Sequence, residues 1–220
     1  PYINQNVKIR MNDYYQEAKD WFNVNGFKLN VSKTQKLLFT LRHVLENDYS
    51  EHVNFLGIIL DPKLTWEEHI QFMCVRLSRV ICLLRFLKPH VSKSYLKQAY
   101  FAFFHGVLSY GVHIWGNCSN IDKVLVLQKK ALCILTGSAF DSHCKSLFVK
   151  EKITTVINLY IYHRLIKVKS NYQMYCTKAQ THEYQTRYNY HLNISTVRLQ
   201  KSKNWFKYAA PNMFNKLPID

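Results

Sequence analysis

The residues here whose types and spacing could do chemistry are cations set along stretches without acids. No Asp or Glu lies between Glu68 and Asp122, whereas Arg76, Arg79, Arg85, Lys88, Lys93 and Lys97 do. Between Glu183 and Asp220 there is again no acid, but Arg187, Arg198, Lys201, Lys203, Lys207 and Lys216 occur. A solvated helix face normally mixes signs. Two long one-sign stretches have the character of a track for a phosphate backbone, because neutralising phosphates releases their counterions.

Other constellations point to less. Asp13 and Glu17 stand one helical turn apart and could hold a metal, but on a polar face they read as a solvated pair. Cys144, His163, Cys176 and His182 lack the C-x2-C or H-x3-H spacing of a zinc site and read as core thiols and surface imidazoles. There is no Gly-rich phosphate loop, and Ser, His and acids form no arrangement that resolves into a triad.

Composition narrows the partner. Thirty Lys and Arg against 14 Asp and Glu give a formal charge of +16, which favours a polyanion, nucleic acid before an anionic membrane surface. Aromatics make up 15% of the chain, and a basic, aromatic-rich surface suits phosphate neutralisation combined with base stacking. With 48% apolar residues over 220 positions, one domain or two small ones with a real core is expected. Six scattered cysteines and no leader point to reduced thiols and an intracellular protein, cytoplasmic and nuclear rather than secreted. No apolar run reaches the ~18 residues of a membrane span.

The elements that must position these cations follow from periodicity. Residues 4–24 carry a helical stripe of Val7, Met11, Tyr14, Ala18, Trp21 and Phe22, stopped by Asn25-Gly26. Two strands are expected, Lys36–Arg42 and Val53–Leu60, joined across a polar tip at 46–51, with Gly57 marking a bulge or a close backbone approach. Thr65 and Glu68 form a candidate capping box for a helix on Ile70, Met73, Leu77, Val80, Ile81, Leu84 and Leu87, closed by Pro89. An apolar helix follows from Ser92 or Ser94 to Leu108, then glycines at 111 and 116 that imply a bend or close packing. A helix from Asn120 to Gly137 buries Val124, Leu127, Ala131, Ile134 and Leu135, and a helix at 155–169 buries Ile157, Tyr160, Ile161, Leu165 and Val168. Residues 171–192 read as loop with at most a short strand, and the remainder as a loosely ordered, extended basic tail. The fold class is α+β, mainly α.

Several segments carry a resemblance. Trp21-Phe22-Asn23-Val24-Asn25-Gly26-Phe27-Lys28-Leu29-Asn30-Val31-Ser32-Lys33-Thr34 has the form W-x3-N-G-x-K-L-N-x2-K-T. Phe55-Leu56-Gly57-Ile58-Ile59-Leu60-Asp61 precedes Leu64-Thr65-Trp66 and His69. Leu108-Ser109-Tyr110-Gly111 precedes Trp115-Gly116, and Leu127-Gln128-Lys129-Lys130-Ala131 precedes Ile134-Leu135, with Cys133 where Arg is usual. Cys144-Lys145-Ser146-Leu147-Phe148, Leu159-Tyr160, Tyr184-Gln185-Thr186-Arg187 and Asn215-Lys216-Leu217-Pro218 complete the series. In this order they resemble the reverse transcriptases of jockey-like non-LTR retrotransposons, downstream of the catalytic aspartates.

The resemblance implies three stretches: the end of a palm at 1–62, a helical thumb-like bundle at 63–137, and a C-terminal helical and irregular basic region at 138–220. It implies the C-terminal part of an RNA-directed DNA polymerase, a nucleotidyltransferase that binds RNA template and DNA primer. The metal-binding aspartates would precede Pro1, so this fragment alone is expected to be inactive and to bind no metal. Mg²⁺ would serve the full-length enzyme, whose partners are the missing palm and fingers, with or without a fused endonuclease, and no membrane. Lys33 matches a basic residue near the incoming nucleotide, where a Lys can neutralise phosphate or give up a proton. Phe55, Leu56 and Gly57 match a primer grip. Lys28, Lys33, Arg76, Arg79, Arg85, Lys88, Lys129, Lys130 and Arg187 are the expected nucleic-acid contacts. The rival reading is a non-catalytic nucleic-acid-binding remnant of a decayed or reused element.

Overall fold

The computed structural model describes residues 5–41, 49–139, 142–181 and 187–218. Arg42, the expected hairpin tip at 46–48, His182 and residues 184–186 of one landmark lie outside them. The chain divides into two compact units, 1–69 and 70–220, each taken by itself below.

The first unit opens with α1 (Gln5–Val24). Gly26 stops it with φ +74, and the Asn25 side chain donates to the Trp21 carbonyl at 2.8 Å. The expected stripe is not buried: Met11 and Phe22 are half-buried, and Tyr14 and Trp21 are 68% and 58% exposed. After a 3-10 turn at Val31–Lys33, residues 36–41 form no strand, contrary to expectation. The hairpin lies wholly within the segment read as one strand. β1 (Val53–Phe55) pairs antiparallel with β2 (Ile58–Leu60), Val53 facing Leu60 and Phe55 facing Ile58. Leu56 and Gly57 have φ 50 and 80, the two positive values that a tight two-residue hairpin turn requires. Gly57 therefore reverses the chain rather than bulging a strand.

A polar corner follows the hairpin. Asp61 accepts the backbone N–H groups of Lys63, Thr65 and Trp66 at 2.7–3.0 Å. Burial raises its pKa, but these bonds outweigh that and hold the carboxyl below its usual range. Asp61, not Thr65, is thus the main acceptor before α2 (Glu67–Leu87); Thr65 offers the Glu67 N–H only a 3.5 Å contact. His69, 1% exposed, accepts the Ile59 N–H on Nδ1 at 3.3 Å, tying β2 to the first turn of α2.

In the second unit, α2 buries Ile70, Met73, Leu77, Ile81 and Leu84 of the expected stripe and leaves Val80 and Leu87 half-buried. The expected apolar helix is α3 (Lys93–Ala99), a π-helical turn (Tyr100–His105) and α4 (Gly106–Ser109) in succession. Tyr100 and Phe104, both fully buried, stack there at 5.2 Å. Gly111 bends the chain with φ 63 into α5 (Val112–Trp115). A Cβ on Gly116 would stand 2.7 Å from the Tyr160 ring, so α5 meets the helix that carries Tyr160 where only glycine fits. α6 (Ile121–Thr136) ends at left-handed Gly137. α7 (Cys144–Glu151) was not foreseen; α8 (Val156–Ser170) matches the expected helix at 155–169, and the Thr155 side chain caps it by accepting the Asn158 N–H. α8 buries Val156, Leu159, Tyr160, Arg164 and Val168, so the inward assignment of Ile157 and Ile161 is corrected: both lie on the exposed side.

The C-terminal region is packed rather than loose, another correction. After a single bridge between Thr177 and Leu192 come α9 (Gln200–Lys203) and α10 (Phe206–Phe214), and α10 packs on α8. Val168, Leu192 and Ala210 form its core with Tyr175, Phe206 and Phe214 against them. The Asn215 side chain takes both backbone groups of Leu192, donating to its carbonyl at 3.0 Å and accepting its N–H at 2.8 Å. All six cysteines are free; Cys118, Cys133 and Cys144 are buried, whereas Cys82 and Cys176 are exposed. Among the described residues no helix is long and apolar enough to cross a membrane.

The His69 corner yields a pH test. Burial pushes its pKa down to about 4, so the imidazole is neutral in the fold. A lowered folded-state value means this stability is fully present above about pH 6.5 and is lost as pH falls toward 4. The loss is about 2 kcal/mol once solvent screening is allowed for. His69→Asn keeps an acceptor near Nδ1 and removes the titration. Denaturant melts between pH 7 and 4 are expected to show a smaller fall for the variant; equal falls would remove His69 as the cause.

Candidate nucleic-acid interface

Charge is segregated between the units. Residues 70–220 hold 22 of the 30 Lys and Arg but 5 of the 14 acids; residues 1–69 hold the other 8 and 9. The second unit thus carries a formal +17 and the first −1. That excess poses a question for each cation: whether the fold itself satisfies it.

Three cations of the acid-free stretches are answered within the fold. Lys93 and Lys97 of α3 both reach Glu151 at the end of α7, and Lys97 also donates to the Glu151 carbonyl at 2.7 Å. Glu151 is 5% exposed; its hydrogen bond from Lys93 holds its pKa below the usual range despite burial. Neither lysine was expected to find an acid, because the partner lies 54 and 58 residues further on. The Lys88 ammonium ends 3.9 Å from where a Gly137 Cβ would sit, at the C-terminus of α6, where the helix dipole favours a cation.

Arg164 is a fourth case, on the inward face of α8 and 2% exposed. Its Nε donates to the His113 carbonyl at 3.0 Å and Nη2 to the Asn204 carbonyl at 3.1 Å. The guanidinium lies 4.5 Å from the Tyr160 ring centroid and 5.7 Å from that of Phe206. Carbonyl dipoles and ring faces stand where a carboxylate would otherwise be needed.

The remaining sequence-predicted cations are exposed. Arg76, Arg79 and Arg85 lie on α2, outside its buried stripe. Arg76 and Arg79 share its outer side with Phe72, Val75, Leu83 and Phe86, which are 39, 50, 38 and 69% exposed. Lys129 and Lys130 project from α6 between buried Gln128 and Ala131. Arg187 is exposed, as are Lys28 and, in the 3-10 turn of the first unit, Lys33. The Phe55–Leu56 hairpin tip is 61% and 74% exposed, with Leu56 in left-handed backbone. A non-Gly residue there costs about 1 kcal/mol or more, and such strain concentrates at functional sites. The described residues offer no cluster of three His, Cys, Asp or Glu to hold a metal ion, and no metal chemistry is assigned to them.

Sequence reasoning missed the polar residues that shape this surface. Gln128 is fully buried and donates to the Thr154 carbonyl at 2.9 Å and the Tyr100 hydroxyl at 3.2 Å, while its oxygen accepts the Val156 N–H. The signal was its position in Leu127-Gln128-Lys129-Lys130-Ala131, on the same side as Val124 and Ala131.

Two curated proteins of Drosophila melanogaster are similar to this chain. One, the probable RNA-directed DNA polymerase from transposon X-element, is 26% identical over 161 residues, covering 66% of this chain and 18% of that protein. The other, the probable RNA-directed DNA polymerase from transposon BS, is 28% identical over 146 residues, covering 59% of this chain and 16% of that protein. The chain thus spans under a fifth of the length of the relatives it matches. Their class, transposon RNA-directed DNA polymerases, is the one its motifs resemble. No family model and no solved structure matches.

The hairpin tip can be tested for stored strain. Leu56→Asn, which tolerates positive φ and forms the favoured Asn-Gly turn, is expected to stabilise the chain by about 0.5–1 kcal/mol. Gly57→Val is expected to destabilise it by about 1–3 kcal/mol. Denaturant unfolding reads both; a destabilised Leu56→Asn variant would mean that Leu56 supports the fold rather than straining it.

Proposed function

We propose that this chain is the part of a transposon RNA-directed DNA polymerase that follows the catalytic aspartates, and that its second unit grips the template–primer duplex by its phosphates. The carrying observation is the segregation of 22 cations against 5 acids in residues 70–220, with exposed Arg76 and Arg79 unmatched by any local acid. The similarity to polymerases of that class supports the choice of partner. Arginine suits it, since its planar fork can engage phosphate bidentately.

In this reading residues 1–62 close the palm, 63–137 form the thumb and 138–220 extend it. The exposed Phe55-Leu56-Gly57 tip meets the primer end, where strained backbone trades stability for contact. Lys33 neutralises phosphate charge near the incoming nucleotide. RNA template and DNA primer are the substrates, and the chain works inside the cell, in cytoplasm and nucleus. Mg²⁺ would be held by aspartates outside these residues and would supply charge stabilisation for nucleotidyl transfer. The 220 residues alone therefore bind duplex and do not polymerise.

Replacing Arg76 and Arg79 together with Gln tests the reading. Thermal stability is expected to stay within about 0.5 kcal/mol, because both are exposed. The slope of log affinity for an RNA–DNA duplex against log salt is expected to become shallower by about one to two units. An unchanged slope, or a fall in stability without a loss of binding per folded molecule, would make these arginines structural. The same preparation, given Mg²⁺, primer–template and nucleotides, is expected to incorporate none.

A further inference from the structure

A groove of about 680 Å³ opens between α6, α7 and the start of α8, and among the described residues none of α2 lines it. Lys129 of α6, Lys145 of α7, and Lys152 and His143 at the two ends of α7 line it; no acid does so among the described residues. All four are exposed. Its lining also includes Leu125 and Val149, the latter 74% exposed. Glu151, the acid nearest in sequence to Lys152, is already taken by Lys93 and Lys97.

Lys152 occupies an unusual position. It ends α7 in left-handed backbone, φ 54, with its N–H bonded to the Val149 carbonyl and the Ile153 N–H to that of Phe148. Glycine is the usual residue at this point of a helix end, because a side chain there is strained. Here a lysine stands in that position, on the rim of a groove that no acid lines among the described residues.

We propose that this groove binds a single-stranded segment of nucleic acid, with backbone phosphates on Lys129, Lys145, Lys152 and His143 and unpaired bases against the apolar lining. The proposal rests on the reading of the second unit as a nucleic-acid-binding body and adds a second site to it. A duplex presents phosphates and sugars to a protein surface and keeps its bases stacked inside. Only an unpaired strand brings base faces to apolar side chains while its phosphates stay on the rim. The volume lies within the 300–1,000 Å³ range of pockets that hold small molecules, enough for one or two bases.

Lys152→Gly separates this role from a structural one. The substitution relieves the left-handed strain, so the melting temperature of the 220-residue chain is expected to hold or rise. Affinity for a short fluorescent oligo-deoxythymidine strand is expected to fall several-fold. Lys145→Gln with Lys152→Gln is expected to cut that affinity about tenfold and to make its salt slope shallower by about 1.4 units. Affinity for an RNA–DNA duplex should change much less. If wild-type chain binds strand and these variants bind it equally well, the groove proposal is overturned while the duplex reading stands. If wild-type chain binds neither strand nor duplex, both fall. Competition by free thymidine monophosphate, or by polyglutamate of equal charge, as effective as competition by the strand would also overturn the assignment, in favour of a mononucleotide or an acidic peptide.

Discussion

Glu151 is the one buried acid among the described residues of the second unit, and much of the fold's charge arrangement depends on where it sits. Two lysines from α3 converge on it, and one of them also takes its backbone carbonyl at the end of α7. Removing the carboxylate would leave two ammonium groups on adjacent turns of α3, with only the Glu151 carbonyl, bonded by Lys97, remaining as a partner from α7. Because this acid is spent on α3, it is not available to the lysines around the end of α7. The fold thus draws a few cations inward and leaves others, Arg76, Arg79, Lys129 and Lys130 among them, exposed to solvent.

Other polar contacts follow the same economy of acids. Arg164 is held by two carbonyls and two rings, and Gln128 joins α6 to the π-helical turn and to the start of α8 without any charge. A carboxylate at either place would have reduced the positive field of the unit. A net +17 on about 150 residues carries a cost in self-repulsion that a polyanion relieves. Under the proposed function, function and stability are coupled through that repulsion: a nucleic-acid-bound chain would be the better-neutralised one.

Local signals were legible in the sequence, and long-range polar pairings were not. Periodicity located α1, α2 and α6, because a one-sided apolar stripe is a local property, and Gly26 and Gly137 marked two stops. The hairpin was misread because a left-handed glycine looks the same in sequence whether it bulges a strand or turns one. The phase of α8 was misread because Arg164 is polar and inward while Ile157 and Ile161 are apolar and outward, the reverse of the ordinary rule. α10 was read as extended chain, its Pro211 being a residue that normally ends a helix. Several landmark residues hold the fold: Asp61 and His69 build a corner, Gln128 a junction, and Asn215 a clamp on Leu192. Of the candidate contacts, the exposed arginines of α2 followed from the missing acids, whereas the lysines around the α7 groove needed the fold to bring them together.

The central claim is that the exposed cations of the second unit serve a phosphate backbone. The most direct measurement is the affinity of the unaltered 220-residue chain for an RNA–DNA duplex across a range of monovalent salt. Engagement of five or more phosphates predicts a log–log slope of about −4 or steeper, with little dependence on duplex sequence. A slope near zero, with binding undiminished at high salt, would contradict the account.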